Sequence, residues 1–90
     1  MTDPATGQKL PPPDFAVLAQ MLAGPAFVHL GLVVNPATGR TERDLDQAKW
    51  HVDLLHVLEE KTRGQLTQEE RDLVDQLLHQ LRQAYVALRG

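Results

Sequence analysis

Four histidines and twelve acidic residues carry most of the chemistry this chain could do at neutral pH. There is no serine and no cysteine. The absence of cysteine rules out a thiol nucleophile, a disulfide framework and a thiolate metal site. Hydroxyl catalysis would fall to threonines, which sit in candidate caps, in turns or near the start. The sharpest arrangement is Asp53-x-x-His56 together with Asp75-x-x-x-His79. At helical spacing, each carboxylate lies near its imidazole on one face. Carboxylate-bridged di-metal bundles use a Glu-x-x-His motif on each of two helices, plus a Glu from each of two others. Here aspartate stands in the motif, the first helical stretch offers no carboxylate, and both pairs fall on polar arcs. The bland reading, a solvated face with ordinary salt bridges, is the stronger one. Metal binding through Asp53, His56, Asp75 and His79 is kept as the alternative function, and no cofactor or resident metal is expected.

His29 stands within an apolar stretch. The simplest account is a buried neutral ring hydrogen-bonded to a carbonyl or to the Tyr85 hydroxyl, because buried polar groups need partners. Its functional alternative is a pH-sensitive contact in an interface. The acidic pairs Glu59-Glu60 and Glu69-Glu70 fall at helix ends, and Glu59, beside an apolar stripe, calls for a Lys or Arg partner. Gly24 and Gly31 are isolated, so no phosphate-cradling loop is present. Arg40, Arg43, Lys49, Lys61 and Arg63 could form a modest basic edge, but Glu42, Asp44, Asp46 and Glu60 interleave with them. With a formal charge of −3 and one tryptophan for stacking, nucleic-acid binding is not expected. These residues point to no enzyme.

The elements that must position these groups are helices. A chain of 90 residues, 42% hydrophobic and 23% charged, reads as a single soluble domain of marginal stability on its own. Residues 1–13, with Gly7 and Pro11-Pro12-Pro13, read as a flexible Pro-rich lead, and residues 14–90 as one helical domain. Phe15 to Val34 carries no charged residue, yet Gly24-Pro25, Gln20, His29 and the lack of flanking cations argue against a membrane span. Asp3 and Asp14 bracket the early cation Lys9, which argues against a signal peptide. Pro4-Ala5-Thr6-Gly7 recurs as Pro36-Ala37-Thr38-Gly39, each copy after Asp or Asn. This predicts two Asx-Pro turns closed by glycine.

Asp14 is the expected N-cap of the first helix, directly after the prolines. Phe15, Leu18, Leu22, Ala26 and Leu30 share one side, with Val17, Met21, Val28 and Leu32 opposite, so this helix should be covered nearly all round. Pro25 should kink or restart it. The second helix is expected from about Asp44 to Arg63. Asp44 and Gln47 form its capping box, Lys61 and Arg63 lie in its last turn, and Gly64 takes the left-handed position after it. Leu45, Ala48, Val52 and Leu55 form one stripe; Trp50, Leu54, Val57 and Leu58 form another. The third helix opens on the Thr67-Gln68-Glu69-Glu70 box. Its single apolar face carries Leu73, Val74, Leu77, Leu78, Leu81, Ala84, Tyr85 and Leu88. The short link through Gly64-Gln65-Leu66 makes the last two helices an antiparallel hairpin.

The expected fold class is therefore all-α: an apolar first helix plus a helical hairpin, the bundle completed by oligomerisation. Three helices of this length cannot hide so much apolar surface in one chain, and exposed patches of that size mark interfaces. A homo-oligomer is expected, a two-fold dimer first. Phe15, Leu18, Leu22, Phe27, His29, Trp50, Leu54 and Val57 are the candidate interface residues. An unidentified protein partner is the other occupant the surface admits, and a non-enzymatic interaction or assembly module is the function these features favour.

Several ordered segments also carry a family resemblance. They are Val28-His29-Leu30-Gly31, Asn35-Pro36-Ala37-Thr38-Gly39, Asp44-Leu45 with Ala48-Lys49, and Asp53-Leu54-Leu55. The set continues through Glu60-Lys61-Thr62-Arg63-Gly64, Leu66-Thr67-Gln68-Glu69-Glu70 and Leu81-Arg82 with Tyr85-Val86. In this order and spacing the chain resembles the small bacterial family catalogued as domain of unknown function 1844. The resemblance spans roughly Phe15 to Val86. It implies a short, mostly helical, cytoplasmic protein and brings no catalytic residue with it. Gly24-Pro25, Leu32-Val33, His51 and His56 depart from the family's usual residues, so no function of the family transfers to those histidines.

Overall fold

Three consecutive prolines disfavour an earlier helical start. Asp14 follows them, and its carboxylate accepts the Val17 N–H at 2.9 Å. It thereby caps α1 (Phe15–His29) and satisfies one of the free amides of the first turn. In the computed structural model, which describes residues 10–89, α2 (Leu45–Lys61) and α3 (Gln68–Arg89) complete an all-α fold. Among the described residues the one extended pairing is an isolated antiparallel bridge between Asn35 and Arg40. Of the expected lead, residues 10–13 are exposed and outside any helix. The remainder, and the first copy of the Asx-Pro turn, lie outside the described residues.

Of the two outcomes expected at Pro25, a restart does not occur: α1 continues through it as one helix. Proline removes one donor, the bond that would reach the Met21 carbonyl. Its ring also crowds that carbonyl and the Cβ of the residue before it. Gly24 has no Cβ, so the helical conformation is open to it. No atom of another element lies within 4 Å of where that Cβ would be.

Helix α1 ends in a Schellman closure that sequence reading did not identify. The Gly31 N–H donates to the Val28 carbonyl at 2.9 Å and the Leu32 N–H to the Phe27 carbonyl at 3.1 Å. Gly31 holds φ at 75°, a conformation that costs a side-chain-bearing residue. A Cβ there would also stand 3.2 Å from Arg43 Cγ. The chain then turns at Asn35-Pro36-Ala37-Thr38-Gly39 as expected. Asn35 Oδ1 accepts the Ala37 N–H at 2.9 Å, and the Asn35 carbonyl accepts the Gly39 N–H at 2.8 Å.

Asp44 caps α2 by accepting the Gln47 N–H at 3.1 Å, but the reciprocal half of the predicted box is absent. The Asp44 N–H instead donates to the His29 carbonyl at 2.8 Å. A tertiary bond to the end of α1 thus takes the donor that the Gln47 side chain would have satisfied. The end of α2 also differs from expectation. The helix stops at Lys61 with Thr62 as C-cap, two residues before Arg63. The Thr62 hydroxyl donates to the Leu58 carbonyl at 2.7 Å, an oxygen that also accepts the Thr62 N–H at 3.1 Å. Gly64, at φ 83°, belongs to the turn that follows. The box opening α3 is complete: Thr67 Oγ1 accepts the Glu70 N–H at 3.1 Å, and Glu70 Oε1 accepts the Thr67 N–H at 2.8 Å.

The core is lined by small residues on α1 and branched ones on its neighbours. Ala19, Ala23, Ala26 and Leu30 meet Ala48, Val52 and Leu55 of α2 and Val74, Leu78 and Leu81 of α3 in one buried cluster. Alanines on both α1 and α2 allow their backbones to approach closely. Phe15, Leu22, Phe27, Leu45, Leu58, Leu77, Ala84, Tyr85 and Leu88 pack around this cluster. Among the described residues no polar or charged side chain is buried.

Candidate functional site

The structure does not assemble the carboxylate–histidine alternative into a donor set. Asp53 pairs with Lys49 at 2.8 Å and lines a groove with Arg82, Tyr85 and Val86. Asp75 lines a different cavity of about 210 Å³, with Glu59, Arg63 and Arg71. The two aspartates therefore line separate depressions of the α2–α3 pair. His79 is exposed. Among the described residues no three His, Asp or Glu side chains are placed to hold a metal ion together.

His56 has a different role. The Arg82 guanidinium lies 3.1 Å from His56 Nδ1, and arginine can only donate. Nδ1 must therefore accept, which leaves the proton on Nε2, facing the Glu60 carboxylate. One imidazole tautomer thus connects α3 to the last turns of α2. Glu59 takes the cationic partner expected for it: Arg63 reaches it with contacts of 3.0, 3.1 and 3.2 Å. The Asp53 carboxylate, by its hydrogen bond and then by its charge, raises the pKa of Lys49 above the ordinary 10.5.

His29 is half-buried rather than buried. No hydrogen bond among the described residues joins its ring to Tyr85 or to a carbonyl; the ring lies instead 5.5 Å from that of His51, tilted by 30°. His51 in turn places Nδ1 2.8 Å from the Gln47 carbonyl and meets the Trp50 ring edge-on at 5.0 Å. This His29–His51–Trp50 succession links the outer side of α1 to the outer side of α2.

The other interface candidates divide between core and surface. Phe15, Leu22 and Phe27 pack against the core, whereas Leu54 is half-buried. Leu18, Trp50 and Val57 are 47%, 57% and 52% exposed. Met21, which sequence reading placed on the far side of α1 without selecting it, is 69% exposed. The expectation of a first helix covered nearly all round is not met within one chain: α1 buries its alanine side and leaves the side carrying Leu18 and Met21 open. At about 100° per residue, His51 lies between the buried stripe of α2 and its Leu54/Trp50 side. His29 holds the matching place on α1, before Leu18 and Met21. Their contact joins the two helices at one edge of each open side. Leu32, Val33 and Val34, just after α1, are also exposed.

A family model described as Domain of unknown function (DUF1844) matches residues 12–87. The chain belongs to that family. The match takes in all of α1 and α2 and all but the end of α3, so the open apolar sides of α1 and α2 both lie inside the family domain. The family description assigns no activity to the domain. No curated protein and no solved structure matches the chain. No helix among the described residues is long and apolar enough to cross a membrane.

Proposed function

We propose that this member of the DUF1844 family is a non-enzymatic helical interaction module, acting in the cytoplasm, whose contact surface is the joint outer side of α1 and α2. The observation that carries the reading is the open placement of Met21, Trp50 and Val57, 69%, 57% and 52% exposed on ordered helices. A folded monomer gains nothing from holding such side chains in water, and large exposed apolar surface marks contact sites. Tryptophan and methionine are also enriched where interfaces are most buried. The polar groups support the same reading: His56, Glu59, Lys49 and Asp53 are engaged with their neighbours in helix-stabilising pairs. None converges on a cavity with a nucleophile.

The test is site-specific photo-crosslinking in the native host. A benzophenone side chain at position 50 is compared with one at Gln76, an exposed polar position on α3. The module reading expects discrete adducts from position 50 and none above background from position 76. Equal, diffuse labelling from both sites would sink it.

A further inference from the structure

We propose that the occupant of this surface is a second copy of the chain, with α2 packed antiparallel to the partner's α2 about a two-fold axis beside Leu54. The proposal rests on the interaction-module reading and gives that module a partner and a register.

The register comes from the spacing of the open side of α2. Asp46, Trp50, Leu54, Val57 and Lys61 follow one another at intervals of four, four, three and four residues. This is the seam spacing with which one helix packs along another. Placing the axis next to Leu54 sets Trp50 against the partner's Val57, and Val57 against the partner's Trp50. The same operation sets Asp46, at one end of the seam, against the partner's Lys61 at the other. An isologous interface makes each contact twice, so one register yields two apolar pairs and two opposite-charge pairs.

Two further observations favour a second copy. Neither Asp46 nor Lys61 takes part in any ion pair among the described residues, although Lys49, Glu59, Glu60 and Arg63 on and just after the same helix all do. The charges that flank the apolar seam are thus the ones left over, and they are of opposite sign at opposite ends. Area supplies the second. The exposed parts of Leu18, Met21, Trp50 and Val57 amount to roughly 450 Å², about the apolar share of the roughly 800 Å² per partner that a stable interface buries. Leu18 and Met21 are carried by α1, the helix that meets α2 at the His29–His51 contact. A partner seated on α2 would extend over them.

The experiment is sedimentation equilibrium and native mass spectrometry of the full chain, with Asp46→Lys, Lys61→Asp and the double exchange. Helical content is checked by circular dichroism. Wild type should be a dimer at micromolar concentration. Each single reversal puts two like-charge pairs into the interface and should raise the dimer dissociation constant by roughly ten-fold. The double exchange should return it to within about three-fold of wild type, although it opposes the α2 dipole at both ends. A mixture of the two single variants should form the mixed dimer in preference to either homodimer, because only the mixed species pairs every charge.

A wild-type monomer at 100 µM, as a chosen upper concentration, overturns the proposal. If position 50 still crosslinks discretely to other proteins, the module reading survives that result; if it does not, both fall. A dimer whose affinity ignores both single reversals overturns the antiparallel α2 seating.

Discussion

Gly24 and Pro25 form a coupled pair in the middle of α1, and their substitution tests the account of why that helix is continuous. Pro25→Ala restores an N–H that can reach the Met21 carbonyl and removes a residue about 3 kcal/mol worse than alanine in a helix interior. Against this stands the looser unfolded chain, which costs about 0.4–1 kcal/mol, and Pro25 is half-buried. The expected net gain is about 2 kcal/mol. Gly24→Ala alone should behave differently. The site has no tertiary neighbour within 4 Å, so a free helix would gain about 1 kcal/mol. With Pro25 in place, however, the new Cβ meets the proline ring in the helical conformation, and the gain should vanish or reverse. In the Pro25→Ala background the same change should recover its gain of about 1 kcal/mol. The double-mutant cycle should thus show a coupling of about 1 kcal/mol. Urea unfolding followed by circular dichroism would measure it, at two protein concentrations because self-association shifts apparent stability. Equal stabilisation by Gly24→Ala in both backgrounds would refute the steric argument. A loss of stability on Pro25→Ala would refute the hydrogen-bond argument.

Other consequences can be measured on the same chain. Thr67→Ala removes the hydroxyl that accepts the Glu70 N–H and should cost about 1 kcal/mol in thermal unfolding, lowering the midpoint by about 4–8 °C for a domain of this size. Leu55→Ala empties a position that is 0% exposed and should cost about 2–5 kcal/mol. Val57→Gln, at the open side, should change monomer stability by less than about 0.5 kcal/mol; similar losses from the two would mean that the open side is core. Gly31→Ala should cost about 1–2 kcal/mol from its positive φ alone, with more if Arg43 cannot move. Lys49 should titrate above its ordinary range because Asp53 holds the ammonium form. Since the folded pKa is raised, the pair's contribution is complete below the ordinary lysine pKa and is lost as pH rises through the shifted one. Asp53→Asn should bring the Lys49 midpoint down in an NMR titration, and an unchanged midpoint would remove Asp53 as the cause.

Local signals in the chain determined where the helices begin. The Asp14 cap, the Thr67–Glu70 box and the Asn35–Gly39 turn are each made by side chains within a few residues of the amides they satisfy, so spacing alone is enough to read them. The single apolar face of α3 was legible for the same reason: a 3.6-residue period repeats the same neighbours whatever lies opposite. Tertiary structure decided what local spacing could not. The Asp44 N–H had two possible acceptors, and the end of α1 supplied one. The continuation of α1 through Pro25, by contrast, is a local effect that sequence reading missed, because Gly24 has no Cβ for the proline ring to crowd. Most of the candidate surface was decided by the tertiary structure. Leu18, Leu22, Met21 and Trp50 are all large side chains with apolar bodies, and composition cannot say which of them faces water. That depends on which side of α1 carries the alanines that let α2 approach, and on how the two helices meet at the His29–His51 contact. Burial is a property of the pair of surfaces in contact, and a sequence read one helix at a time presents only one of them.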